Sequence, residues 1–295
     1  MNQQPDISSI EPNGPNADQI DYWNGRAGEQ WTIHQDWLDK VLAPLNAAVL
    51  QRAQVQAGET ILDVGCGCGA TSLTLAGQAG PNGSVLGVDI SAPMLARARE
   101  RAKAIAAGNR PEFLLADAAS HAFTPAHFDL AFSRFGVMFF AEPEKAFANI
   151  RRGLKKSARL TFICWRPIDE NDWMITPVRA ALTHLPAPEP GDPNAPGPFA
   201  FASQDRTRSI LQQAGFNHID ITPVDTTVSL GSGANAIADA VEFSTNIGPA
   251  SRLLADAEPS ARGRAMDAIR DALSERRTDR GIELAAACWL VHALN

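Results

Sequence analysis

The sequence predicts an α/β chain: a mostly parallel sheet with helices on both faces, beneath an N-terminal helical cover. Three observations predict it. Seven apolar runs of strand length recur along the 295 residues, and most are separated by segments with helical periodicity. The first run, "TILDV", leads directly into the glycine-rich turn Gly65 to Gly69 and then a helix, a junction that exposes backbone N–H groups at a strand end. Near the C-terminus, "IELAAACWLVHAL" is apolar almost throughout, as a strand covered on both faces must be.

Residues 1–18 are polar and rich in Asn, Gln, Pro and Ser, with too little apolar content to fold alone, and read as a mobile tail with order beginning near Asp18. Residues 19–295 read as a single domain. Within it, residues 19–56 form the cover, with apolar residues at helical intervals, three tryptophans and a turn at Asn24-Gly25. Residues 57–168 form the ligand-binding core. Here "TILDV", "GSVLGVDI", "EFLLAD", "FDLAFSRF" and "RLTFICW" are strands. Between them lie the helices "ATSLTLAGQAG", "SAPMLARARERAKAIAAG" and "PEKAFANIRRGLKK". Ser91 is placed to cap the second of these and Pro93 suits its first turn. Met94, Leu95, Ala98, Ala102 and Ile105 make its apolar face before Gly108 stops it. Residues 169–202 read as a lid, a helix from Asn171 to Leu185 followed by the proline-rich "PAPEPGDPNAPGPFAFA". Residues 203–295 complete the sheet with the helix "QDRTRSILQQAGF", the strand "HIDITPVDTTVSL", helices over 234–254 and 260–277, and the terminal strand.

A formal net charge of −7 leaves no broad basic field for nucleic-acid backbones or anionic lipid, so a small molecule is the expected partner. Four cysteines do not make a disulfide framework, and neither a signal segment nor a bilayer-length apolar run is evident. A cytoplasmic protein is expected. Its oligomeric state is open, a homodimer among the options.

The turn "ILDVGCGCGA" admits three readings. A dinucleotide loop needs G-x-G-x-x-G, which is met only with Ala70 in the last place. A thiolate metal site built on Cys66 and Cys68 needs further Cys or His ligands nearby, and none is present. The third reading rests on Asp63, whose carboxylate just ahead of the glycines repels a pyrophosphate and attracts a cation. Asp89 ends the next strand, where such sheets receive ribose hydroxyls, and Asp117 ends the third.

With these motifs in order, the region from Asp21 to Trp165 resembles the class I S-adenosylmethionine-dependent methyltransferases. The nearest group is the ubiquinone/menaquinone C-methyltransferase-like (type 11) group. The resemblance implies a Rossmann-like, seven-stranded sheet whose last strand is antiparallel, and S-adenosylmethionine as cofactor. It implies that Gly65, Gly67 and Gly69 pass close to the methionine and ribose parts, with Asp63 near the ammonium. It also implies that Asp89 accepts from the ribose, that Ile90 and Met94 flank the adenine, that Asp117 with Ala118 meets the adenine amino edge, and that Ser133 closes the methionine end. Tyr22, Trp23 and Trp31 resemble the cover over the cofactor, with Arg26 as a carboxylate partner; the same tryptophans equally suit packing of a helix on the sheet.

The acceptor is expected beyond the fourth and fifth strands, against Arg134, Phe135, Met138, Phe139, Trp165 and, from the lid, Phe199 and Phe201. Each of these also suits core packing. "SRFG" lacks the Asn/Asp-Pro-Pro-aromatic motif of enzymes that methylate nucleobases or glutamine. His34 is the favoured general base, ahead of His121 and His127. Two rival functions remain compatible with the residues: an NAD-dependent oxidoreductase, which leaves Asp63 without a role, and a protein that binds S-adenosylmethionine without turnover.

Overall fold

The computed structural model describes residues 10–105, 107–189 and 191–295. Four helices open the chain: α1 (Ala17–Asn24), α2 (Arg26–Ile33), α3 (Gln35–Val41) and α4 (Ala43–Ala53). The alternating core follows as β1 (Thr60–Val64), α5 (Ala70–Ala79), β2 (Ser84–Asp89), α6 (Ala92–Ala102), β3 (Glu112–Leu115), β4 (Phe128–Arg134), α7 (Pro143–Gly153) and β5 (Leu154–Trp165). The remainder comprises α8 (Asp172–Ala181), α9 (Gln204–Gln213), β6 (Asn217–Gly231), α10 (Ala236–Asn246), α11 (Pro249–Ala255), α12 (Pro259–Ser274), β7 (Arg277–Thr278) and β8 (Gly281–Leu294). No helix among the described residues is long and apolar enough to cross a membrane.

The strands form one sheet in the order β3-β2-β1-β4-β5-β8-β6. Strands β1 to β5 run parallel, and β8 enters antiparallel between β5 and β6. The seven expected strands are present, joined by the two-residue β7, which folds back on the start of β8. The chain moves outward from β1 to β3 and then returns to β4 on the other side of β1. Such a reversal opens a crevice above the strand ends, and the site lies there.

Several elements differ from expectation for visible reasons. Of the expected tail, residues 1–9 lie outside the described residues; beyond them Asn16 is already buried and α1 starts at Ala17, ahead of Asp18. Ser91 does not cap α6 with its side chain, because its Oγ donates to the Trp23 carbonyl at 2.7 Å; the Ala92 N–H is met by Asn24 Oδ1 at 2.9 Å. The cover thus supplies the cap. Helix α6 ends at Ala102, so Ile105 falls in the turn beyond it and Gly108 in a short 3-10 turn. The single helix expected over 234–254 is two, parted at Gly248, whose φ of +87° no helix admits. Phe201 belongs to the core rather than the lid: it is fully buried, 6.0 Å from the Phe147 ring and 6.2 Å from that of Phe162.

Asn171 joins α8 to the sheet. Its amide Nδ2 donates to the carbonyls of Arg166, Pro167 and Ala287, and its Oδ1 accepts from the Ala287 N–H at 2.9 Å. The side chain is wholly buried; the Pro167 and Ala287 carbonyls also accept from the Glu170 and Arg166 N–H groups, whereas the Ala287 N–H donates to Asn171. An Asn171→Ala variant is expected to lose about 3 kcal/mol of unfolding free energy, since the buried bonds to the Arg166, Pro167 and Ala287 backbone are lost together and the Ala287 N–H loses its acceptor. Urea denaturation checks this, and a loss below about 1 kcal/mol would show that other groups take over.

Candidate functional site

The loop after β1 is shaped by backbone contact. Gly65 has φ +67°, and a Cβ there would fall 2.6 Å from Gly136 Cα, so the loop rests directly on the turn that follows β4. Gly69 serves packing, because a Cβ on it would lie 2.9 Å from Ala98 Cβ and 3.0 Å from Phe113 Cζ; it does not reach the crevice. Gly67 does, and its N–H donates to Asp89 Oδ2 at 2.7 Å.

Asp63 lies beneath this loop, wholly buried, and is not part of the crevice wall where it was expected beside an ammonium. Its Oδ2 accepts from Thr71 Oγ1 at 2.7 Å and Ser72 Oγ at 2.6 Å, both in the first turn of α5. Its Oδ1 has no partner among the described residues. Burial pushes its carboxyl up to about 6, against the opposing pull of the two hydroxyls and Arg134. Ser133 is also underneath rather than on the wall: its hydroxyl donates to the Val64 carbonyl at 2.7 Å and accepts from the Gly136 N–H at 3.2 Å. It clamps the ends of β1 and β4 together.

Above the loop is a cavity of about 420 Å³. One end is polar. Asp89 accepts from the N–H groups of Gly67 and Ser91, and burial raises its carboxyl above the usual range. Ile90, Met94, Asp117 and Ala118 continue this wall. Asp117 faces the cavity, yet both its oxygens already accept from Asn16 Nδ2, at 3.0 and 2.9 Å, and Oδ1 also accepts from the Ala119 N–H. The Asn16 Oδ1 in turn accepts from the Ala141 N–H at 2.8 Å, so this residue straps the N-terminus across the polar end.

The other end is apolar and aromatic. Phe135 stacks on Trp165 with ring centroids 4.1 Å apart and planes at 6°, and Trp173 tilts against Trp165 at 5.3 Å. Met138, Phe139 and Phe199 complete this wall. The loop carrying Phe199 is pinned by the Gly197 N–H donating to the Met138 carbonyl. From the cover, Trp23 meets Tyr22, Trp31 and Phe139 edge-on at 5.3, 5.7 and 5.1 Å, so these rings pack on one another as well as facing the cavity. Arg134 also faces the cavity, 3.7 Å from Asp39, which is held by Arg101 at 2.9 Å.

The favoured base does not reach the site. His34 closes α2 with its ring edge-on to Trp37, and neither it nor His121 or His127 lines the cavity. Cys66 and Cys68 line the cavity as buried thiols, and burial pushes Cys68 up to about 11. Asn16, Gln35 and Asp39 also line the cavity without being expected there, as does the wall from α8, α10 and α11, including Trp173, Ile247, Pro249 and Arg252. The only available signal was polar residues at odds with the apolar face of the cover.

Comparison with known proteins bears on what this cavity holds. Residues 61–157 match the family model described as a methyltransferase domain. Nocamycin O-methyltransferase of Saccharothrix syringae is 29% identical over 185 residues, 59% of this chain and 64% of that protein. Demethylmenaquinone methyltransferase of Thermus thermophilus is 38% identical over 112 residues, 38% of this chain and 50% of that protein. The chain thus spans less than two thirds of the length of either. A solved structure of Haemonchus contortus phosphoethanolamine N-methyltransferase 2, with phosphomonomethylethanolamine and S-adenosylhomocysteine, superposes with TM-score 0.57 over 96% of this chain and 60% of that one. At 17% identity that likeness is one of fold.

Residues 61–157 are thus similar to a methyltransferase domain, the chain's relatives include a demethylmenaquinone methyltransferase, and the cofactor that these likenesses support is S-adenosylmethionine. The side chains present fit that cofactor. The bare backbone at Gly67 lines the cavity, a Cβ there would fall 2.8 Å from Met94 Cε, and the Asp89 carboxylate faces the same space with lone pairs beyond those its two N–H donors use.

The raised carboxyl of Asp63 has a consequence for stability. The folded protein holds this proton up to about pH 6, above the ordinary carboxylate value of 3.8, so folding binds a proton between the two. Stability therefore falls as pH rises through that window, by about 3 kcal/mol from this group. The difference in unfolding free energy between pH 4 and pH 7 is expected to shrink by about that amount in Asp63→Asn. An unchanged difference would mean that Asp63 titrates as if exposed.

Proposed function

We propose that the chain transfers the methyl group of S-adenosylmethionine to a small, partly apolar organic acceptor by in-line displacement. The observation that carries this reading is the continuity of one cavity, from the Gly67–Asp89 end to the Phe135–Trp165 wall. When bound, the cofactor supplies a methyl group on a sulfonium, already activated for displacement. The protein's task is then alignment and exclusion of water, and alignment alone can be worth about 7–11 kcal/mol. Asp89 and Gly67 hold the nucleoside end, with Ile90 and Met94 against the base. The aromatic wall, Met138 and Phe199 hold the acceptor. Trp23 and Trp31 cover both, and their ring faces suit a cation.

The cavity wall carries no histidine among the described residues, and its carboxylates Asp39, Asp89 and Asp117 are each engaged by protein donors. This supports an acceptor whose own proton leaves readily, a phenol, thiol or enol-forming carbon, over one that needs a dedicated base. A single domain over residues 19–295 and a reducing, cytoplasmic setting agree with the four unpaired thiols.

Two variants test the assignment. Asp89→Ala is expected to weaken S-adenosylhomocysteine about 10- to 100-fold in a calorimetric titration, the worth of a charge-assisted hydrogen bond. Unaltered affinity would remove the ribose assignment, and failure of the wild type to bind either S-adenosylmethionine or its demethylated product would remove the whole reading. His34→Gln is expected to change turnover by less than about twofold, because the ring lies outside the cavity. A loss beyond about a hundredfold, with cofactor affinity kept, would restore it as the base.

A further inference from the structure

Arg134 has more hydrogen-bonding capacity than the protein uses. Its side chain is 13% exposed and faces the cavity. A guanidinium carries five N–H donors, and the partner of Arg134 among the described residues is Asp39 Oδ1 at 3.7 Å, beyond hydrogen-bonding distance. Asp39 is itself shared, because its Oδ2 accepts from Arg101 Nη2 at 2.9 Å and from Gln35 Nε2. A nearly buried guanidinium in this state calls for an anion presented from the cavity, and a carboxylate matches its planar fork.

Local backbone geometry indicates which end of the cavity presents it. Phe135 takes φ +63°, an uncommon conformation for a bulky residue, and its ring stacks on Trp165 in the acceptor half. Arg134 turns the other way, toward Asp39 and within electrostatic reach of Asp63 and Cys68 beside the glycine loop. The other arginines are placed less well. Arg101 is committed to Asp39 and the Cys68 carbonyl, Arg26 is exposed on α2, and Arg252 is exposed and lies over the Tyr22 ring at 4.9 Å.

We propose that Arg134, oriented by Asp39, binds the α-carboxylate of the methionine part of S-adenosylmethionine; this rests on the function proposed above. Arg134 then belongs to the cofactor half rather than the acceptor wall, and it replaces Arg26 as the carboxylate partner. A carboxylate on the acceptor has the same chemistry, and the test separates the two sources.

Calorimetry on the full chain would compare S-adenosylmethionine with decarboxylated S-adenosylmethionine, which keeps the sulfonium and the amine. The wild type is expected to prefer the carboxylated form by at least about tenfold. In Arg134→Gln that preference should fall to within about threefold through loss of S-adenosylmethionine affinity alone, and in Arg26→Gln it should persist. Equal loss of both ligands in Arg134→Gln would make the residue structural, and loss of neither would assign it to the acceptor; each outcome overturns the proposal. A preference lost in Arg26→Gln, or absent from the wild type, overturns it as well, and neither measurement depends on the buried substitution folding. If the wild type binds neither ligand, it is the cofactor reading that has failed.

Discussion

The carboxylate of Asp63, sealed beneath the glycine loop, is the contact on which the geometry of the site depends. It ties the end of β1 to the first turn of α5 through Thr71 and Ser72, and so sets the path of the chain between them. Ser133 makes the matching connection from β4, holding the Val64 carbonyl and the Gly136 N–H. Together they press Gly65 against Gly136 so closely that neither position has room for a Cβ. The adjoining ends of β1 and β4, between which the sheet reverses direction, are thereby fixed as one rim. The raised carboxyl of Asp63 is the electrostatic cost of placing an acid there.

From that rim the cavity divides by chemistry. Toward β2 and β3 it offers carboxylates and open backbone, suited to hydroxyl and amino donors. Toward β5 and α8 it offers flat aromatic faces and Met138. The division passes between two consecutive residues, with Arg134 turned to Asp39 and Phe135 stacked on Trp165. The N-terminal helices close the cavity through specific bonds: Asn16 to Asp117 and Ala141, Asn24 to Ala92, and the Trp23 carbonyl to Ser91. The cover is thus attached at the ends of β2 and β3 and of the turn after β4, where the nucleoside is proposed to bind.

The strands and their alternation with helices were legible because burial on both faces forces continuous apolar runs, and because Gly65 to Gly69 can only follow a strand that must turn sharply. The acids at three strand ends were legible as residue types. Their depth was not: Asp63 is a site residue by its place in the motif, yet it serves the loop from below, while Asp89 at the end of the neighbouring strand faces the cavity. Ser133 and Gly69 were displaced from the wall for the same reason. Asn16, Gln35 and Asp39 were invisible because each acts across a large sequence separation, on Asp117, Arg97 and Arg101 respectively, and local periodicity carries no information about such pairs. Asn171 and the break at Gly248 were likewise missed, the one set by partners on β8 and the other by a single backbone angle.

A crystal structure of the full chain with S-adenosylhomocysteine tests most directly whether this cavity holds the cofactor with its sulfur toward the acceptor wall. The ribose is expected on Asp89, the base against Ile90 and Met94, and the sulfur directed toward the Phe135–Trp165 wall. A nucleoside bound outside this cavity, or a sulfur facing away from the aromatic wall, would contradict this assignment.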